Sequence, residues 1–94
     1  MITLHIEHKV SNYNEWKKVF DSDPINRKKS GVRSYRIFRP VDDPNYVLID
    51  LEFDNLNDSE TVLTALNKLW SNVDGKIIFN PQARILNVEE TKKY

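Results

Sequence analysis

Hydrophobic and polar residues alternate in four stretches of the chain, and two stretches of helical spacing lie between them. Apolar runs typical of strands occur at residues 2–6, 32–38, 47–53 and 83–88. Apolar side chains recur every three to four positions over residues 13–20 and 62–73, which predicts two amphipathic helices. The order strand, helix, strand, strand, helix, strand predicts a split βαβ sandwich, an α+β fold in which both helices cover one face of an antiparallel sheet.

The first strand and the central hairpin decide which side chains are buried. Over residues 2–10 the even positions are apolar except His8, so one face of this strand is expected to be buried. Residues 40–45 contain two prolines and predict the turn of a hairpin. The register of this hairpin stays open, because a shift by one residue would send Arg36 to the other face of the sheet.

Local sequence signals indicate where the helices begin. Asn12, with Glu15 three residues on, resembles a capping box, and Asn57 with Glu60 repeats this pattern before the second helix. The second helix is therefore expected to begin directly after Asn57. Residues 76–81 are ambiguous between a short edge strand and an apolar loop that closes over the helices.

The composition indicates a small protein with no covalent cross-links and no excess of charge. The 94 residues are expected to form one domain, 1–94, ordered to about residue 90 with a loose tail at 91–94. Cysteine is absent and 14 Lys and Arg balance 14 Asp and Glu, which argues against disulfides, thiolate metal sites and nucleic-acid binding. No apolar run reaches the roughly 18–20 residues of a membrane span, and the pattern opens with a strand, so a cytoplasmic protein is expected.

One face of the predicted sheet has no helix to cover it. If the helices lie on the face of Leu4 and Ile6, the opposite face mixes apolar and charged side chains, namely Thr3, His5, Glu7, Leu48, Asp50 and Glu52. Antiparallel sheets tolerate a solvated face. However, a chain of this size buries little surface alone, and oligomerisation is a common source of added stability. We therefore expect a homodimer in which two sheets pack about a two-fold axis.

Three strings of residues resemble one known superfamily. They are HKVSNYNEWKKVFD at residues 8–21, GVRS at 31–34 and FRPVDDPN at 38–45, and they resemble small dimeric α/β-barrel proteins related to antibiotic-biosynthesis monooxygenases and cyclases. The resemblance extends to about Glu90. It implies a ferredoxin-like protomer, a homodimeric α/β barrel, and a small pocket between the sheet and the helices. The superfamily includes cofactor-free oxygenases, polyketide cyclases, haem-degrading enzymes and members of no known activity, so it leaves the chemistry open.

His8 is the foremost candidate for chemistry, because a histidine accepts or donates a proton near pH 7. It follows the apolar positions of the first strand and lies where a pocket mouth would be. The alternative is a half-exposed histidine that bonds nearby backbone or Asp21. Tyr13, Trp16 and Trp70 are candidate pocket walls for a flat ligand, although aromatic residues at helical spacing are more often core. His5 has the opposite parity and is expected in the interface between sheets.

Arg36 is a further candidate for the ligand pocket. Pointing toward the helices it would bind an anionic ligand, and pointing away it would pair with Asp50 or Glu52. No metal-ligand spacing, glycine-rich phosphate loop or nucleophile elbow occurs in the sequence, and neither a metal nor a cofactor is expected. Haem-degrading members of the superfamily carry an Asn on the first strand and a later His. This chain has no Asn there and no His after His8, which argues against haem degradation.

Two functions of different kinds fit these observations. The first is a small-molecule enzyme of monooxygenase or cyclase type, with His8 as the proton acceptor and an aromatic or polyketide-like substrate. The second is a non-catalytic ligand-binding or stress-associated dimer, in which the aromatic residues are core. A cavity of roughly 300 Å³ or more beside His8 would favour the enzyme, because ligand sites are of this size.

Overall fold

Four strands form one antiparallel sheet in the computed structural model, which describes residues 1–94, and two helices lie against one face of the sheet. In chain order the elements are β1 (Ile2–Val10), α1 (Tyr13–Asp21), β2 (Val32–Phe38), β3 (Tyr46–Phe53), α2 (Leu56–Val73) and β4 (Ile78–Asn87). The strand order is β2-β3-β1-β4, and every neighbouring pair is antiparallel. The predicted ferredoxin-like α+β fold is confirmed.

Alternation along the two central strands builds the core. Leu4 of β1 lies opposite Leu51 of β3, and directly opposed residues of an antiparallel pair point to the same face. The buried apolar residues are Leu4, Ile6, Val10, Trp16, Val32, Val47, Ile49, Leu51, Phe53, Val62, Leu66 and Ile78. Full burial of a large apolar side chain contributes roughly 1.5–3 kcal/mol, so this set holds both helices on the sheet. The opposite face of the sheet, called here the open face, carries no helix.

The register between β2 and β3 settles the direction of Arg36. Arg36 lies opposite Asp50 and Ile37 lies opposite Ile49, so Arg36 belongs to the open face and Ile37 to the helix face. A register shift between Val32 and Ser34 keeps Val32 buried at the start of the strand. The predicted pocket position of Arg36 is therefore wrong, because burial of Ile37 turns its neighbour away from the helices.

The helix caps follow the predicted chemistry but not always the predicted residue. The side-chain oxygen of Asn12 accepts from Glu15 N at 3.0 Å, which confirms the cap of α1. The prediction that Asn57 caps α2 is wrong. Asn55 Oδ1 accepts from Asp58 N at 2.8 Å, and the helix begins at the following residue. Neither helix is long and apolar enough to cross a membrane.

The connection from α1 to β2 is tied to both helices. Arg27 Nη1 donates to Phe20 O at 2.8 Å, which satisfies a carbonyl of the last turn of α1. Gly31 has a φ of +98°, and a Cβ built there would lie 2.5 Å from Asp58 Oδ2 of α2. Glycine is therefore required by conformation and by space at the same position. These contacts hold residues 22–31 against the edge of the core.

The ambiguous segment at residues 76–81 contains a turn and the beginning of β4. The strand starts at Ile78, five residues before the predicted start, and pairs with Val10 of β1. Its alternation is interrupted because Asn80 has a φ of +53° and the pairing shifts register in this stretch. Pro81 is tolerated because β4 is an edge strand.

Candidate functional site

A cavity of about 80 Å³ lies between the sheet and the helices, beside His8. Of its sixteen lining residues thirteen are hydrophobic, and the other three are Pro24, His8 and Arg27. Most of the lining comes from three parts of the chain, and Ile77 from the turn after α2 completes it. The sheet contributes His8 and apolar neighbours, the helices contribute Trp16, Phe20 and Trp70, and the connection after α1 contributes Pro24 and Arg27. The predicted pocket between sheet and helices therefore has a counterpart in the structure, and it is strongly apolar.

His8 lies at the end of the buried face of β1 and is 2% exposed. Its Nδ1 lies 3.2 Å from Lys9 O, and its ring meets Trp16 edge-to-face at 5.9 Å between centroids. Because a carbonyl only accepts, Nδ1 carries the proton and Nε2 keeps a free lone pair. Burial lowers the pKa of His8 below its usual 6.5, against smaller opposing effects of the Lys9 carbonyl and the Asp74 charge. His8 is therefore neutral at pH 7, with an available acceptor nitrogen.

The predicted aromatic walls are partly in place. Trp16 and Trp70 line the cavity, together with Phe20, whose ring centroid lies 5.2 Å from that of Trp16. Tyr13 does not line it. The ring of Tyr13 packs on the outer side of Trp16 at 5.7 Å and lies under the guanidinium of Arg39 at 4.0 Å. Tyr13 therefore supports the wall from behind.

The arginine beside the cavity is Arg27 and not the predicted Arg36. Arg36 is exposed on the open face, where its guanidinium lies 5.3 Å from the Phe38 ring, and it does not reach the cavity. The arginine in the cavity lining is Arg27, which was not among the predicted site residues. No sequence signal identifies it, because residues 22–31 have no hydrophobic period from which a face can be assigned, and Lys28 and Lys29 make it resemble a solvated charge run.

The cavity is smaller than the size expected for a drug-sized ligand. Its volume of about 80 Å³ is well below the roughly 300 Å³ at which ligand pockets begin. A cavity that encloses benzene in an engineered protein core measures about 150 Å³. A ligand larger than a few water molecules therefore requires the lining side chains to move apart.

The open face carries a charged cluster around His5. His5 Nδ1 lies 2.7 Å from Asp50 Oδ1, and His5 Nε2 lies 3.1 Å from Glu7 Oε2. Arg84 lies opposite His5 on β4, and Leu86 two residues along is exposed. A shallow depression of about 380 Å³ follows this cluster. The face is thus a mixture of paired charges and uncovered apolar side chains.

Comparison with known proteins identifies the fold and leaves the reaction open. No protein-family model matches the sequence, and no curated protein matches it. Among solved structures, one assigned as an antibiotic biosynthesis monooxygenase, from Deinococcus radiodurans, has a TM-score of 0.76 at 15% identity, covering 100% of this chain and 98% of its own. SnoaB, a cofactor-independent oxygenase from Streptomyces nogalater, has a TM-score of 0.74 at 13% identity, covering 96% of this chain and 94% of its own.

A third structure of this fold contains a bound metalloporphyrin. A point variant of MhuD, with two manganese protoporphyrin IX molecules bound per active site, has a TM-score of 0.68 at 10% identity and full coverage of both chains. The predicted resemblance to ferredoxin-like proteins of antibiotic biosynthesis monooxygenase type is confirmed for the fold. At identities this low the chemistry has to be argued from the site itself.

Proposed function

We propose that this protein is a small-molecule enzyme of monooxygenase or cyclase type that works without a bound cofactor. The observation that carries the proposal is the acceptor nitrogen of His8, which forms no hydrogen bond with the protein and borders an apolar cavity. SnoaB, described as a cofactor-independent oxygenase, supports the proposal through its fold. Trp16 and Trp70 supply flat walls, which suit a planar aromatic or polyketide-like substrate.

His8 Nε2 acts as the general base in this proposal. It removes a proton from an acidic methylene group of the substrate, which leaves a resonance-stabilised carbanion and a protonated His8. Dioxygen adds to the carbanion to form a peroxide anion, and His8 returns its proton to give the hydroperoxide. Loss of water then converts the original CH₂ group to C=O, so that one O₂ is consumed and one H₂O released. Because burial disfavours a charged His8, the proton is held only briefly. The same proton removal without O₂ serves a cyclase.

A second candidate function is non-catalytic binding of a small ligand. The observation that favours it is the small volume of the cavity, about 80 Å³, which is below the size predicted for an enzyme pocket. In this reading the aromatic residues are mainly core, and His8 supplies one hydrogen bond for orientation. The two candidates share the same cavity and differ in whether His8 transfers a proton.

Substitution of His8 separates these candidates. Oxygen uptake is measured with planar ketones that carry an acidic methylene group, from 2-coumaranone to anthrone, and binding is followed by thermal shift. His8→Gln keeps a polar side chain but not the base, and turnover is expected to fall about a hundredfold or more. His5→Gln, which changes the histidine on the open face, is the matched control and should keep wild-type turnover.

Each result of this experiment has a definite meaning. Turnover that His8→Gln and His8→Ala leave unchanged would remove His8 from its proposed role. Binding of the ketones without any oxygen uptake or rearrangement would support the non-catalytic alternative. A wild-type protein that none of the compounds stabilises would contradict both functions of the cavity.

We also propose that two copies pair through their open faces, in the cytoplasm. The chain exposes 6506 Å², whereas a folded monomer of this mass is expected to expose about 5,700 Å². Paired charges and apolar side chains such as Leu48 and Leu86 lie on the same face and fit such a contact.

A further inference from the structure

One permanent cation, Arg27, lines the otherwise apolar cavity. Besides hydrophobic side chains and Pro24, only His8 and Arg27 form the lining. The Arg27 side chain is 14% exposed, and arginine is rarely buried to this extent without a partner. A poorly solvated cation costs free energy unless it is paired. The groups around the guanidinium therefore indicate whether the protein or a ligand supplies its partner.

The protein satisfies one side of the Arg27 guanidinium and leaves the other side free. Nη1 donates to Phe20 O at 2.8 Å and lies 3.4 Å from Asp23 Oδ1. The latter distance is longer than a charge-assisted hydrogen bond of about 2.7–2.9 Å, so Asp23 does not saturate the cation. Nε and Nη2 form no hydrogen bond with the protein. These two nitrogens form an edge of the guanidinium that can bind a carboxylate bidentately.

Two aromatic rings hold the guanidinium in position. Its central carbon lies 3.9 Å from the centroid of the Phe20 ring and 5.1 Å from that of the Tyr35 ring. Phe20 itself lines the cavity. Arginine side chains lose rotamer entropy when they are ordered, and here most of that cost is met before any ligand arrives. The free edge is therefore preorganised for an anion.

We infer that the cavity takes a small planar aromatic acid, with its carboxylate on the free edge of Arg27 and its ring among the apolar side chains. The inference rests on the proposed function, since His8 acts on the same molecule. A single ring is the smallest planar group that can carry a carboxylate, so it requires the least movement of the side chains around the cavity of about 80 Å³. The free donors of Arg27 are accessible to water, so a neutral molecule of the same shape would displace that water without offering an anionic acceptor, and hydrogen bonds to charged groups are among the strongest in proteins.

Isothermal titration calorimetry with 4-hydroxybenzoate and 4-hydroxybenzamide tests this inference. The two compounds have the same ring and the same hydroxyl group for His8, and only the first carries a carboxylate. We expect wild-type protein to bind the acid about tenfold more tightly than the amide. Arg27→Gln should lower the affinity for the acid alone, so that the affinities for the acid and the amide differ by no more than about twofold. Arg27→Lys, which keeps the charge but loses the fork, should retain part of the preference.

The matched control is Arg33→Gln. Arg33 is an exposed arginine that pairs with Asp54 at 2.7 Å on the surface, and its loss should leave the tenfold preference unchanged. Because Arg27 also bonds the last turn of α1, the fold of each variant is checked by circular dichroism. If Arg27→Gln does not fold, Arg27→Lys decides, with an expected fall in preference of about threefold.

The outcomes distinguish this inference from the proposed function. Equal wild-type affinity for acid and amide would overturn the role of Arg27 and leave the pocket and His8 untouched. A preference for the acid that persists in Arg27→Gln, or is lost equally in Arg33→Gln, would also overturn it. Binding of neither compound would overturn the inference, and the oxygen-uptake and thermal-shift experiment with the ketones would then decide the proposed function separately.

Discussion

His5 and His8 lie three residues apart on β1, but on opposite faces of the sheet and in opposite electrostatic surroundings. Both ring nitrogens of His5 face carboxylates, at 2.7 Å from Asp50 and 3.1 Å from Glu7. Since carboxylates only accept, both nitrogens can donate to them at the same time only when His5 is protonated. Burial acts to lower the pKa of His5, but the hydrogen bonds and charges of Asp50 and Glu7 outweigh it and raise the pKa above 6.5. Burial instead keeps His8 neutral.

The two histidines should make stability depend on pH in opposite directions. Because its pKa is raised in the folded protein, His5 adds to the free energy of unfolding. This contribution is complete below pH 6.5 and is lost as the pH rises through the pKa of His5 in the folded state. Because its pKa is lowered in the folded protein, His8 also adds to the free energy of unfolding. This contribution is complete above pH 6.5 and is lost as the pH falls through the pKa of His8 in the folded state. At pH 6, His5→Gln should lower the free energy of unfolding by about 0.5–1 kcal/mol, and by clearly less at pH 8.5.

Urea unfolding from pH 5 to 8.5, at one fixed protein concentration, measures these contributions. His8→Gln should flatten the loss of stability below pH 6.5, which His5→Gln should leave in place. Parallel pH profiles for wild type and His5→Gln would show that His5 is not held as a cation by its carboxylate neighbours.

The alternation of even and odd positions along a strand predicts which face of the sheet a side chain lies on only where the strand pairing is regular. The period of two along β1 predicts that His8 lies on the helix face and His5 on the open face, as observed. Arg36 could not be placed in this way, because its direction depends on the register shift after Val32. Arg27 lies in a connection without any period, and only the folded chain brings it beside the cavity.

At the scale of elements, the beginning of α2 shows why a helix end is harder to predict than a helix. The sequence contains two overlapping patterns in which an asparagine that can cap the helix is followed three positions on by an acidic residue. The pairs are Asn55 with Asp58 and Asn57 with Glu60. The structure uses the first. The hydroxyl-bearing Ser59 is fully buried, so the first turn already packs on the core before the apolar stripe begins. Tertiary packing therefore decides between two caps of equal local quality.

Alanine substitution of the two asparagines tests which one caps α2. Asn55→Ala removes the acceptor of Asp58 N and should lower the free energy of unfolding by about 1 kcal/mol. Asn57→Ala lies inside the first turn, where alanine is a good helix former, and should change it by less than about 0.5 kcal/mol. Thermal and urea unfolding of both variants measure the difference. A larger loss in Asn57→Ala than in Asn55→Ala would place the cap where the sequence pattern first indicated.

At the scale of the whole molecule, the fold was predictable because few topologies fit the order in which strand-like and helix-like hydrophobic patterns follow one another along the chain. Two strand–helix–strand units fit a sheet covered on one face, because each helix has a single apolar stripe. The interior of the site was less predictable. Its volume depends on how Phe20, Ile25 and Trp70 pack, and a sequence pattern carries no information on that packing.

The open face is the feature on which the assembly depends, and Leu48 is its most sensitive position. This half-buried leucine lies on a central strand, opposite Glu7 on one side and Phe38 on the other. Leu48→Lys can pair with Glu7 within one chain, so the protomer should still fold. Two sheets packed face to face would remove the new ammonium group from water, and the desolvation of a buried charge is costly even where the charge is paired.

We expect wild-type protein to sediment as a dimer at micromolar concentration and Leu48→Lys to sediment as a folded monomer with native circular dichroism. The matched control is Leu56→Lys, which changes a leucine that is 50% exposed at the start of α2, away from the open face, and should remain dimeric. A wild-type chain that is a stable monomer at this concentration would refute the pairing. A dimer that Leu48→Lys leaves intact and Leu56→Lys disrupts would move the interface from the sheet to the helices.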